Sequence, residues 1–273
     1  MDVDLYDEVV RLRREGKKAA MATIVKIRGS VPSFQTAKML VREDGSIAGS
    51  VGGGCVEAEV WAAAQEVMKD ERSRVMSFDL TDDSLADSGL ICGGKLEIFV
   101  EPILPVPRAI IFGAGHISTH LSKIATTAGF RTWIVDDRPI YANDTRFPEA
   151  ERIFSDSFES AFSEIEPDEN TYIIIVTCGH HDDENVLRWA VGTEPRYLGM
   201  IGSKRKVKTI AAHLESEGIE RERLARAHMV IGLDIGAIVP EEIAVAIVAE
   251  MIHYRRRGTE SPQSKKVFEA SQS

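Results

Sequence analysis

Cysteine is scarce in this chain. The three present, Cys55, Cys92 and Cys178, are few and odd in number, which argues against a disulfide scaffold and fits a reducing compartment. Long apolar runs are missing too. None approaches the roughly 20 residues that a membrane-spanning helix needs, and the richest stretch, 243–252, is interrupted by Glu250 and reads as a core helix. The N-terminal MDVDLYDEVVRLRR is charged throughout and has no apolar core of the signal-peptide kind. A cytoplasmic location and no membrane partner are therefore expected. Basic excess is the last absence. Lys and Arg number 33 against 43 Asp and Glu, a formal net charge of −10. That balance argues against a nucleic-acid partner, which needs a basic face to displace counterions from phosphates.

What is present points to two domains of unequal size, because 273 residues with 44% hydrophobic content exceed one typical domain. Leu5, Val9 and Leu12 form one stripe of an amphipathic helix over 2–15. The run AAMATIVKI is strand-like and ends at Gly29. Strands over 36–42 and 46–51 flank Asp44-Gly45, a strong hairpin signal. Gly52-Gly53-Gly54-Cys55 then opens a helix, and strands over 75–80 and 95–100 bracket the polar loop TDDSLADSG. The expected N-terminal unit, 1–101, is mixed α/β. Pro102, Pro105 and Pro107 make a stiff segment unable to donate into a sheet, so a linker is placed at 102–107.

From 108 to 258 short apolar runs alternate with helical stretches. Strands are predicted over 109–112, 132–135, 172–176, 197–200 and 229–231, with helices over 117–128, 184–191 and 207–217. The final helix has Pro240 near its first turn, Glu241 and Glu242 behind it, and Arg255 to Arg257 before Gly258. This pattern predicts an α/β fold: a Rossmann-like, doubly wound parallel sheet after a smaller mixed α/β domain. Residues 259–273 carry no periodicity and read as a flexible tail.

Ala109-Ile110-Ile111-Phe112 runs directly into Gly113-Ala114-Gly115-His116-Ile117-Ser118. In a dinucleotide fingerprint the first glycine turns tightly out of the strand, and the second lets backbone approach a pyrophosphate at the helix N-terminus. Ser118 is small enough for the third, packing position. Asp136, with Asp137 and Arg138 beside it, lies 23 residues after Gly113, where an acidic residue is expected.

Ligands of open parallel sheets bind outside the carboxyl ends of the strands. The segments following each predicted strand are rich in Gly, His, Asp and Lys: Gly113–His116, Asp136–Arg138, Thr177–Asp183, Gly199–Lys204 and Gly232–Asp234. Gly179, His180 and Asp183 are read as rim contacts rather than metal ligands, because adjacent histidines in a loop point different ways; no metal is expected. Cys178 reads as a small buried residue at a strand end. Lys204, Arg205 and Lys206 open a helix behind Gly202 and Ser203, where cations oppose the macrodipole unless an anion binds, so a phosphate site is expected. Gly53 and Gly54 leave room and backbone N–H groups beside Cys55 at a helix start, where the macrodipole favours thiolate. Cys92 lies in Ile91-Cys92-Gly93-Gly94, and both thiols suit a soft metal or a sulfur-transfer step.

Several strings in this order resemble the XdhC/CoxI family of accessory proteins. They are Arg28-Gly29-Ser30-Val31-Pro32, Gly49-Ser50-Val51-Gly52-Gly53-Gly54-Cys55-Val56-Glu57, Cys92-Gly93-Gly94, Phe112-Gly113-Ala114-Gly115-His116 and Asp136-Asp137-Arg138-Pro139. Gly199 through Lys206, Gly232-Leu233-Asp234-Ile235-Gly236 and Pro240-Glu241-Glu242-Ile243-Ala244 complete the series. The resemblance implies a maturation protein for molybdenum hydroxylases of the xanthine dehydrogenase type. Such a protein binds the molybdenum cofactor, protects it during sulfuration and delivers it to the apo-enzyme. It implies a sulfur-donating desulfurase as second partner, and a homo-oligomer. Carried over, Cys55 and Cys92 become contacts to molybdenum or the transferred sulfur, and Gly113–His116 with Gly202–Lys206 hold the cofactor's phosphate or nucleotide. Where the family often has proline before Ile-Gly-Leu, this chain has Val230. Two alternatives stand beside this reading. One is an NAD(P)-dependent oxidoreductase with His116 or His180 as acid or base; the other is a thiol-based redox or sulfur carrier using Cys55 and Cys92.

Overall fold

The computed structural model describes residues 4–29, 31, 33–80 and 94–258. The chain divides into two compact units, Met1–Val106 and Pro107–Ser273.

The first unit runs α1 (Leu5–Arg14), β1 (Ala19–Arg28), β2 (Lys38–Arg42), β3 (Ile47–Gly49), α2 (Gly54–Asp70), β4 (Arg74–Asp79) and β5 (Lys95–Ile103). Its five strands form an antiparallel sheet in the order β3-β2-β1-β5-β4. Alternation along β1 decides which helix covers which face. Ala20, Ala22 and Ile24 pack with Val56, Val60, Ala64 and Val67 of α2. Ala19 and Met21 point the other way and pack with Leu12 of α1. The hairpin strands are shorter than predicted for a backbone reason. Thr36 (φ 73°) and Gly49 (φ 75°) are left-handed, and the extended ladder stops between them. β5 runs on through Pro102, inside the segment expected to be linker. Its pairing with β4 ends at Val100 while its pairing with β1 continues to Ile103, so the missing proline N–H falls where one side of the strand carries no ladder.

The second unit runs β6 (Arg108–Phe112), α3 (His116–Thr127), β7 (Arg131–Val135), β8 (Arg152–Phe154), α4 (Phe158–Glu164), β9 (Thr171–Ile175), α5 (His180–Ala190), β10 (Tyr197–Met200), α6 (Lys204–Ser216), α7 (Arg221–Ala225), β11 (His228–Met229) and α8 (Pro240–Arg257). All six strands are parallel, in the order β8-β7-β6-β9-β10-β11. Ile110 and Phe112 face one helical layer together with Leu187, Ile210 and Leu214. Ala109 and Ile111 face the opposite layer with Leu121, Ile247 and Met251. This is the doubly wound Rossmann arrangement. β8, α4 and α7 lie outside the predicted elements; they span three, seven and five residues, too short for periodicity to show. β11 stops two residues before its predicted end because Val230 turns to φ 76°, a conformation rare for a β-branched residue and closed to proline.

Candidate functional site

Strands β6 and β9 are neighbours whose connections leave in opposite directions, so the crevice of the second unit lies beyond their carboxyl ends. Two glycines there do different work. Gly113 sits at φ 106°, donates to the Val135 carbonyl at 2.7 Å, and has no room for a side chain. A Cβ would overlap the Val176 carbonyl oxygen and lie 2.8 Å from the Thr177 Cα. The fold therefore demands glycine at 113. Gly115 has ordinary extended backbone (φ −75°, ψ −167°), and a Cβ built there meets nothing within 4 Å. It is the N-cap of α3, with no side-chain cap and no acidic residue in the first turn. The free space and the open amide end of α3 suit an incoming anion. His116 begins the helix and is exposed.

Residue 114 is gripped on both sides. Its N–H donates to Asp136 Oδ2 at 2.7 Å, and its carbonyl accepts from Arg146 Nη1 at 2.7 Å. Asp136 is buried at the end of β7 and also accepts from the Arg138 backbone N–H (3.1 Å), Nε (2.8 Å) and Nη2 (2.7 Å). Burial works against its charged form, yet the Arg138 and Ala114 bonds outweigh burial and hold the carboxyl below the usual range. Arg138 lies over the Tyr141 ring, 4.5 Å from its centroid. Arg146 is invisible to sequence reasoning because it sits in the irregular stretch between β7 and β8, where no periodicity or motif marks it.

The segment from Gly179 to Asp183, predicted as loop, is the start of α5. Asp182 and Asp183 in its first turn favour the helix, because their negative charge complements the positive end of the macrodipole. His180 and His181 are exposed there. Asp183 is fully buried; it accepts from the Thr177 N–H (3.2 Å) and hydroxyl (2.5 Å) and pairs with Lys206 Nζ. Burial dominates and raises its pKa, against the Lys206 and Thr177 bonds. Asp183 thus binds the β9–α5 turn to the β10–α6 turn. Lys206 is offset by this carboxylate, and Ser203 caps α6 by accepting the Lys206 N–H at 3.2 Å. Lys204 and Arg205 remain exposed with no ion pair among the described residues. Gly202 stands just ahead of them, with a Cβ position 3.3 Å from the Lys206 side chain.

The Gly232 rim is tied from beneath. Gly232 N–H donates to Glu250, which is buried in α8 and also accepts from the Tyr197 hydroxyl at 3.1 Å. His228 Nδ1 lies 2.9 Å from the same carboxylate. Burial and then the Glu250 charge push the Tyr197 phenol well above its ordinary range. Among the described residues, the group with metal-ligand spacing is Glu184, His213 and Glu217. Arg188 pairs with both of its carboxylates at 2.8 Å, so this is an ion-pair network on the α5–α6 surface.

In the first unit Cys55 is the second residue of α2, half-buried and free. Gly52, Gly53 and Gly54 hold φ values of 122°, 81° and 63°, a succession open only to glycine, and a Cβ on Gly53 meets nothing within 4 Å. Glu57 braces the approach by accepting from the Ser50 hydroxyl and the Val51 N–H, while the Gly52 N–H donates to Ser50. Cys92 lies outside the described residues. Cys178 is exposed, not buried as expected, because β9 ends at Ile175 and the chain at 178 has already left the sheet.

Strand order and glycine turn define a protein with a Rossmann-type unit, carrying a separate antiparallel α/β unit. The chain belongs to the XdhC and CoxI family. The model of that family matches residues 12–79, and the model of the XdhC Rossmann domain matches residues 109–251. Similar proteins include the uncharacterized protein YqeB of Escherichia coli (strain K12), 30% identical over 254 residues and 93% of this chain. The chain spans 46% of the length of YqeB. A probable xanthine dehydrogenase subunit of Bacillus subtilis (strain 168) is 23% identical, covering 90% of this chain and 96% of that protein. The molybdenum cofactor insertion chaperone PaoD of Escherichia coli (strain K12) is 27% identical, covering 88% and 84%. A crystal structure described as a xanthine dehydrogenase from Bacillus halodurans shares the fold, with a TM-score of 0.51, 24% identity and coverage of 95% and 98%. No helix among the described residues is long and apolar enough to cross a membrane.

Proposed function

We propose that this chain is a maturation factor that binds the molybdenum cofactor and hands it to an apo-enzyme of the xanthine dehydrogenase type. Family membership and the likeness to PaoD support this reading. The observation that carries it is Gly115, a glycine required by neither its backbone angles nor its neighbours, standing before an uncapped helix start. A phosphate ester fits there: open amides and the dipole receive the charge, and the missing side chain leaves room for the ester. Gly113, Gly115 and His116 would hold the phosphate, with Lys204 and Arg205 adding charge from α6. Within the first unit, Cys55 behind its three glycines is a thiol suited to the sulfur that a desulfurase supplies. The cofactor, when bound, brings the molybdenum centre that the acceptor enzyme uses; the protein's own part is to hold it, exclude water and release it.

The test is retention of pterin during purification from cells that make the cofactor, read by fluorescence of the oxidised pterin. The wild-type chain should carry it. Gly115→Val should lose at least tenfold, and Cys55→Ala should weaken retention while leaving the fold intact. Absence of pterin from the wild-type protein, or equal retention in Gly115→Val, overturns the assignment.

A further inference from the structure

We propose that Asp136 is a positioning residue for the glycine turn, and that the site accepts a phosphate ester without reading a ribose diol. The inference rests on the reading of the Gly113–His116 turn as a phosphate site. In dinucleotide-binding Rossmann domains the acidic residue ending the second strand accepts hydroxyls of the ribose. An ionised carboxylate offers about four lone-pair positions, and at Asp136 all four are taken from within the chain. Oδ2 accepts from Ala114 N–H and Arg138 Nη2; Oδ1 accepts from Arg138 N–H and Nε. At 2% exposure the residue also has no surface to offer a sugar.

Freeing it for a ribose would break the two side-chain bonds from Arg138, draw that guanidinium away from Tyr141, and leave a buried carboxylate short of partners. Ala114, meanwhile, is the residue between the two glycines, and its carbonyl is fixed independently by Arg146. The carboxylate at 136 is thereby committed to the shape of the turn. A ligand recognised here is chosen by its phosphate, which a pterin phosphate satisfies as well as a nucleotide. An NAD-type dinucleotide loses the contact that usually selects it.

The experiment compares ADP with 2′,3′-dideoxy-ADP by calorimetric titration of the full chain, together with hydrogen exchange at the Ala114 amide. The two nucleotides should bind within twofold of each other. Asp136→Asn should weaken both equally and speed Ala114 exchange at least tenfold. A tenfold or greater preference for ADP, abolished in Asp136→Asn, overturns the proposal. Failure of both nucleotides to bind strikes the phosphate reading instead, and the positioning role is then judged on the ligand-free protein alone. Faster Ala114 exchange in Asp136→Asn supports it, and unchanged exchange overturns it. Should that variant not fold, Arg138→Gln serves in its place: it removes two of the four bonds to Asp136 and should speed the same amide severalfold, with unchanged exchange again counting against the positioning role.

Discussion

Asp183 and Lys206 stand in the first turns of two different helices and close on each other beneath the rim of the sheet, one fully buried and the other partly so. Removing only the cation leaves a buried carboxylate uncompensated, which costs far more than the pair itself contributes. Lys206→Met should lower unfolding stability by about 2–3 kcal/mol, reduced from the range for fully buried pairs because the lysine touches solvent. The double variant Asp183→Asn/Lys206→Met should recover most of that loss in urea denaturation. Additive losses would show that the two residues act separately.

The two glycines of the turn should respond oppositely to alanine. Gly113→Ala forces a Cβ against the β9 backbone at a positive φ and should cost about 3 kcal/mol or more. Gly115→Ala, into open space at an ordinary φ, should change stability by less than about 0.5 kcal/mol. Urea midpoints of the two variants decide this, and a Gly115→Ala loss matching that of Gly113→Ala would contradict the division of roles.

Acid sensitivity in the first unit should trace to Glu8. Hydrogen bonds from Arg11 and then Arg42 hold its carboxyl down to about 2. A carboxylate lowered on folding contributes stability above its unfolded pKa of roughly 4.3, and the contribution disappears as pH falls through the folded value. Glu8→Gln should therefore cost about 1–2 kcal/mol at pH 7, discounted for solvent screening. The difference from wild type should shrink steadily from pH 4.5 to pH 2. A gap independent of pH would remove the ionic explanation.

Val230 offers a stabilising change. Its φ of 76° is unfavourable for a β-branched side chain, so Val230→Gly should raise the thermal midpoint, with a gain of about 1 kcal/mol set against some lost packing. Val230→Pro should not yield folded protein, because proline cannot adopt this φ. A lower midpoint for the glycine variant would mean that packing outweighs backbone strain.

Exposure ranks the two thiols among the described residues. Cys178 is exposed and Cys55 half-buried, so mass-mapped alkylation of native protein should label Cys178 before Cys55. Faster labelling at Cys55 would mark the α2 start as the more reactive thiol site.

How far the fold is legible in the sequence depends on length and punctuation. β10 is predicted to the residue: YLGM opens an apolar run after Arg196, and Gly202-Ser203 closes it soon afterwards. The glycine turn is legible because its strand, turn and helix are contiguous. α5 begins four residues ahead of its predicted start: His180 through Asp183 are polar, and only the tertiary pairing of Asp183 with Thr177 and Lys206 reveals that the helix is already under way. The roles of Asp136 and Asp183 are hidden on the same ground. Both are acidic residues at a rim, and sequence cannot tell a carboxylate facing a ligand from one turned inward on its own chain. Arg146 belongs with them, since its partner lies 32 residues away and no local pattern links the two.

The double grip on Ala114 has a kinetic corollary. A loop set in place before any guest arrives loses little freedom when the guest does, so the ordering cost that weakens many encounters is small here. A turn held in this way needs no rearrangement of its own before a guest can enter. Arrival then follows diffusion and charge, and residence time follows the contacts alone.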